Sequence, residues 1–231
     1  RQLRMHFDFA ANDDEKIKIK FAISPVSTGN ALMNLREEIP GWDFDFVKKK
    51  GQEQWNSELN KVEVKMSKEN MINFYTAMYH AFLSPTVYMD VNQEYRGLDQ
   101  QTHKADGFTN YTTFSLWDTH RALHPLFNII QLKRNDDMVK SMLAHYDQSA
   151  LHMLPVWSNS ANDDWCMSGY HSVSVIADAI IKGTFTGDAN KALEACIATA
   201  THRRYEGIGD YMDKGYIPSE TMGTSVSTTL E

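Results

Sequence analysis

Between Thr109 and Pro125 the chain gathers hydroxyls, an amide, a carboxylate, a guanidinium and aromatic rings. The run reads Thr109-Asn110-Tyr111-Thr112-Thr113-Phe114-Ser115-Leu116-Trp117-Asp118-Thr119-His120-Arg121-Ala122-Leu123-His124-Pro125. Sugar recognition needs this mixture: an aromatic face covers the apolar C–H side of a pyranose ring, and paired polar groups bond its hydroxyls. On composition alone the same residues also read as structure, with Trp117 in a core, Asp118 capping a helix and Arg121 as its ion-pair partner. Asn110-Tyr111-Thr112 has the form of a glycosylation sequon, but inside such a loop it reads as ligand or turn chemistry.

These residues need elements to position them. Lys16 to Ile23 alternates charged and apolar residues, which predicts a strand with one wet face, stopped by Ser24-Pro25. Asp43 can cap a helix carrying Phe44, Val47, Trp55 and Leu59. Val62-Glu63-Val64 reads as a short strand. Met71, Ile72, Tyr75, Met78, Tyr79, Phe82 and Leu83 form an apolar stripe on a helix ended by Ser84-Pro85. A domain boundary is expected near residue 66. Beyond it, Val87 to Tyr95 reads as a hairpin, and Thr119 to Leu132 as a helix started or kinked at Pro125. Met138, Val139, Met142, Leu143 and Tyr146 mark a further helix, and His171 to Lys182 another that meets Gly183. Asp188 caps a last one with Ala192, Leu193, Cys196 and Ile197. Paired helices with long loops suggest a toroid or a solenoid, and the lack of a fixed-period repeat favours the toroid.

The 231 residues carry a net charge of −7, which argues against a nucleic-acid partner. The one dense basic cluster, Lys48-Lys49-Lys50, reads as a solvated helix face. Cys166 and Cys196 lie in no metal-ligand spacing and are expected as free, buried thiols. No apolar run reaches the ~20 residues of a membrane span, and Arg1 to Phe9 reads as mature sequence with no signal peptide.

Longer strings carry a resemblance. Phe114-Ser115-Leu116-Trp117-Asp118-Thr119 followed by Arg121-Ala122-Leu123-His124-Pro125-Leu126 resembles the signature of glycoside hydrolase family 92. So do Leu154-Pro155-Val156-Trp157, Cys166-Met167, Gly169-Tyr170-His171-Ser172-Val173 and Ile176-Ala177-Asp178-Ala179. Gly41-Trp42-Asp43, Phe74-Tyr75-Thr76-Ala77, Tyr95-Arg96-Gly97, Gly215-Tyr216-Ile217-Pro218, Ser225-Val226-Ser227 and Leu230-Glu231 continue it in collinear order.

The resemblance implies a mainly α fold with a small β part. Residues 1–28 would close an N-terminal β-sandwich, 29–66 form a helical linker, and 67–231 make the first part of an (α/α)6 toroid. It implies an exported calcium-dependent exo-α-mannosidase, α-1,2 in expected linkage, that removes terminal mannose from glycans such as N-glycans with inversion. Inversion needs a general acid and a general base about 6.5–9.5 Å apart. As the family is understood, these are a Glu and an Asp in motifs expected beyond Glu231, and the calcium ligands stay unassigned. Asn-Asp-Asp triplets at Asn12, Asn135 and Asn162 resemble part of the base motif, but their positions and surroundings differ, and two of them read as turn or helix-start chemistry. What carries over is a mannose-contacting wall. Trp117 is a platform or loop anchor and Asp118 an acceptor for hydroxyls. The second candidate is the Asp163-Asp164-Trp165-Cys166-Met167 loop, with His171 behind it. His171 also reads as a helix-start histidine, Cys166 as a small buried hydrophobe, Asp178 as hydrogen-bonded support, and Glu220 as a loop acid able to reach a cleft. The alternatives are a non-catalytic sugar-binding or scaffold module, and another toroid glycosidase or phosphorylase.

Overall fold

The computed structural model describes residues 4–10 and 15–221. The Asn12 triplet, Ser225-Val226-Ser227 and Leu230-Glu231 lie outside the described residues. The alternation from Lys16 to Ile23 does not become a strand. A strand must pair its N–H and C=O groups, and no described segment pairs with this one. Phe21 and Ile23 stay 80% and 82% exposed, and Lys20 Nζ instead donates to Ile39 O at 2.8 Å.

Three capped helices follow: α1 (Thr28–Glu38), α2 (Phe44–Leu59) and α3 (Lys68–Ala81). Ser27, Asp43 and Ser67 each accept a hydrogen bond from a first-turn N–H, which satisfies donors that a helix start leaves unpaired. Lys48, Lys49 and Lys50 are exposed on α2 as expected. Trp55 packs on Tyr79 with ring centroids 4.5 Å apart, joining α2 to α3. Only Met78 of the α3 stripe is buried. Val62-Glu63-Val64 is not a strand, and Val62 O instead accepts from Tyr75 Oη at 3.1 Å.

Seven short strands follow among the described residues. β1 (Thr86–Val87) pairs antiparallel with β4 (Tyr111–Thr112), and β2 (Glu94–Arg96) with β3 (Thr102–Lys104). β5 (Phe114–Ser115) pairs with β6 (Trp157–Asn159), which pairs with β7 (Asn162–Asp163). The hairpin therefore spans 94–104, not Val87 to Tyr95. Its turn is closed by Asp99, whose Oδ1 accepts from Gln101 N–H at 2.9 Å. The Val87–Tyr95 stretch is tied elsewhere, because buried Asp90 accepts from Ser24 Oγ, Asn30 Nδ2 and Asn34 Nδ2.

The core lies among helices. α4 (Leu116–Thr119) is one turn; α5 (Leu123–Ile130), α6 (Leu132–Gln148), α7 (Ser172–Ile181) and α8 (Ala189–Ala200) pack together. Phe114, Leu116, Met142, Val175, Ile176 and Ala192 are among the buried residues at their contact. Pro125 splits the expected 119–132 helix. Its ring would meet the carbonyl of Arg121, so the chain restarts at Leu123, where the missing N–H falls in the first turn. Gly183 takes φ +68 just after α7, and Asp188 caps α8. A further helix, α9 (Ile208–Lys214), lies between Gly207 and Gly215, both at φ +77. Its seven residues are too few for a legible apolar period.

Buried polar groups in this core are linked in a chain. His124 Nδ1 donates to Asn135 Oδ1 at 2.8 Å, Asn135 Nδ2 to Asn128 Oδ1 at 2.7 Å, and Asn128 Nδ2 to Asp178 Oδ2 at 2.9 Å. Asp178 also accepts from Lys182, which fits the support reading. Asp136 accepts from Thr186 N and Oγ1 and from Lys140, so the Asn135 triplet is structural. Burial lowers the His124 pKa from 6.5 to about 4. A histidine held neutral in the fold stabilises fully above its unfolded pKa and progressively less as pH falls toward the folded one. Unfolding free energy should therefore drop between pH 6.5 and 4, on the order of 3 kcal/mol from this group. Denaturant midpoints at pH 7 and pH 4.5 check this, since His124→Gln should lose less between them than wild type.

Candidate functional site

Strand β5 runs directly into α4, and Leu116, which is fully buried, anchors that turn in the core. The next two side chains must then point elsewhere: Trp117 is half-buried and Asp118 exposed. Asp118 accepts a short hydrogen bond from Ser115 Oγ, which orients the carboxylate. Pairing of β5 with β6 and of β6 with β7 brings residues 157–163 beside this elbow.

Asp163 organises the second loop. It is buried, and its Oδ2 accepts from Val156 N–H at 3.0 Å. Its Oδ1 accepts from Trp157 N–H at 3.2 Å and Trp165 N–H at 2.9 Å. His145 Nε2 approaches Oδ2 to 3.3 Å. Burial pushes the Asp163 pKa up, but the His145 contact and the Trp165 and Val156 N–H groups outweigh it, leaving the group below its usual value. The Asn162 triplet is thus a loop anchor. Beyond it Trp165 and Met167 take φ +51 and +70, backbone that such residues rarely adopt. Cys166 is exposed, so the buried-hydrophobe reading of this residue is corrected: the strained loop turns its thiol outward. Cys196 is half-buried, and burial pushes its thiol up to about 11. Neither cysteine is in a disulfide.

His171 occupies the N-cap position of α7 without making a side-chain cap bond. Its ring lies edge-on to Trp117, centroids 5.3 Å apart, and stacks on His120 at 4.1 Å with 12° between planes. Gly169, at φ +81, closes another side, for a Cβ there would fall 2.9 Å from His171 Nε2. Gly169 N–H donates to Glu206 Oε2, and Tyr205 Oη donates to Gly169 O, both at 3.3 Å. Tyr205 also faces Trp165, ring centroids 6.0 Å apart. Burial raises the Glu206 pKa, opposed by the Gly169 N–H.

The structure therefore joins Trp117 to His171, and His171 through Gly169 to the Tyr205-Glu206 pair and the Cys166 loop. His120, Tyr205 and Glu206 were not candidates from sequence. The last two lie 36 and 37 residues from Gly169 along the chain, and no spacing signals that contact. Glu220 lies exposed in the 3-10 turn Ser219–Thr221, and Asn110 is buried with its amide donating to Tyr88 O at 2.9 Å. Among the described residues there is no group of three or more His, Cys, Asp or Glu side chains placed together to hold a metal ion.

Gly169→Ala should force the backbone out of φ +81 and push the His171 ring aside. A loss of about 1–2 kcal/mol in stability is expected, with His171 displaced in a crystal structure of the variant.

The model of the Glycosyl hydrolase family 92 catalytic domain matches residues 30–231, and the chain belongs to that family. Among solved structures it is similar to a family GH92 alpha-mannosidase from Bacteroides thetaiotaomicron, at 46% identity and TM-score 0.86, over 90% of this chain and 28% of that one. It is also similar to a family GH92 inverting mannosidase from Bacteroides thetaiotaomicron VPI-5482, at 32% identity and TM-score 0.78, over 85% of this chain and 28% of that one. A curated relative described as an uncharacterized secreted glycosidase, from Arthroderma benhamiae, is 25% identical over 97% of this chain and 26% of its own length. The chain thus spans little more than a quarter of these relatives. Its fold is the expected one, mainly α with small sheets, matching enzymes that carry a helical toroid.

Proposed function

We propose that the protein carrying this sequence is an inverting exo-α-mannosidase, acting on terminal α-mannosides of glycans with α-1,2 linkage as the expected preference. The observation that carries this reading is the elbow of half-buried Trp117 and exposed Asp118 braced against His171, in a chain whose family includes a mannosidase solved with mannoimidazole. In this reading Trp117 covers the apolar face of the terminal mannose and Asp118 accepts from its hydroxyls. His171 and Cys166 border the same subsite. The general acid Glu and general base Asp come from beyond Glu231, so the rest of the protein completes the site.

Calcium is proposed as the cofactor, with its ligands outside the described residues; when bound it would hold mannose hydroxyls and favour a distorted ring. Export to the cell envelope or beyond, and a role in N-glycan breakdown, are part of the same proposal. The secreted description of the fungal relative supports the first, and no described helix is long and apolar enough to cross a membrane.

The test is hydrolysis of 4-nitrophenyl α-mannoside by the full-length enzyme, with the product anomer read by NMR and the assay repeated after chelation. β-Mannose as first product, with activity lost on chelation and restored by calcium, is expected. Mannoside binding without turnover would leave a sugar-binding module, and turnover of another glycoside alone would reassign the substrate.

A further inference from the structure

His120 has no part in the sugar contacts assigned above, yet it stacks on His171 and its own bonds are specific. His120 Nδ1 lies 3.0 Å from Leu116 O and 3.0 Å from Trp117 O. Carbonyl oxygens only accept, so Nδ1 must carry a proton and donate to both. These two bonds tie the ring to the first two carbonyls of α4, the turn that presents Trp117 and Asp118, and Leu116 O also accepts from the His120 backbone N–H at 3.1 Å. The same ring lies parallel to the His171 imidazole at 4.1 Å, and His171 meets the Trp117 ring edge-on. One side chain thus holds the backbone of Trp117 and the face of the ring against which Trp117 rests. Gly169 confines His171 from another direction.

We propose that His120 is a positioning residue of the mannose-contacting wall: it locks the α4 turn through its Nδ1–H and sets the plane of His171 through its ring. The effect on catalysis rests on the mannosidase reading; the positioning itself does not.

Three variants of the full-length enzyme separate the two halves of this role. His120→Asn keeps an amide N–H where Nδ1 sits but removes the ring. His120→Phe keeps a ring to stack but removes the donor, and His120→Ala removes both. Crystal structures of the variants should show the His171 and Trp117 rings displaced in His120→Ala. The KM for 4-nitrophenyl α-mannoside should rise about tenfold with kcat within about threefold, because the wall grips ground and transition states alike. His120→Asn and His120→Phe should each recover part of the loss. Should His120→Ala fail to fold, the Asn and Phe variants decide by the same readouts. Rings unmoved in every variant that folds would overturn the proposal, as would an unchanged KM in an enzyme that turns over mannosides. An enzyme without mannosidase activity but with displaced rings would overturn the proposed function and leave the positioning role standing.

Discussion

Asp118→Asn in the full-length enzyme should lower kcat/KM for an α-mannoside by roughly one to two orders of magnitude, the scale of losing a charge-assisted hydrogen bond worth about 1.5–3 kcal/mol. The substitution keeps shape and volume, and Asp118 is exposed on a single helical turn, so the fold should barely register it. The chemistry of the acceptor does change. A carboxylate accepts on both oxygens, and here Ser115 Oγ occupies one of them, leaving the other for a sugar hydroxyl. The amide would present one oxygen and an NH2, and rotating to keep the Ser115 bond would turn that donor toward the sugar. Ser115→Ala should give a smaller loss, since it frees the carboxylate without neutralising it. Steady-state kinetics with a thermal melt on each variant provide the check. Asp118→Asn kinetics equal to wild type would remove Asp118 from the site.

The largest stability effect is expected at Asp163. Asp163→Ala strips acceptors from the N–H groups of Val156, Trp157 and Trp165 and leaves His145 without its acidic neighbour. Leaving these buried N–H groups without an acceptor costs about 1–3 kcal/mol for each group stripped. The 154–165 connection should loosen first, and with it the Trp165-Cys166 loop, so mannoside binding should fall along with stability. Asp163→Asn, which retains one acceptor oxygen, should cost less.

The pH dependence provides a second check. With the Asp163 pKa held below its unfolded value, its contribution is present above about pH 4 and is lost as pH falls through the folded pKa. That loss lies below the window set by His124, which runs from pH 6.5 down to about 4. Denaturation profiles of wild type and Asp163→Asn should therefore run parallel above pH 5 and converge only in stronger acid.

The sequence by itself determined the elements whose signals are local. Asp43, Asp188 and the apolar periods of residues 138–146 and 171–182 specify helices through caps and side-chain spacing, and these helices formed where expected. Pro125 marked a break, because its ring clash is a property of neighbouring residues. Collinear strings such as Trp117-Asp118 and Gly169-Tyr170-His171 were enough to indicate the family. Local alternation failed where pairing was needed: Lys16–Ile23 has the period of a strand without a described partner, and Val87–Tyr95 lost its hairpin to the bonds that hold Asp90.

The candidate site shows the same division between local and long-range signals. The family resemblance named Trp117, Asp118 and His171 as candidates, but only the folded chain sets His120 against His171, Glu206 against Gly169 and Asp163 beneath its loop. The ring contacts of this site depend on separations of a few ångströms between residues up to 54 positions apart. That distance is set when helices pack, and no pattern along the chain encodes it.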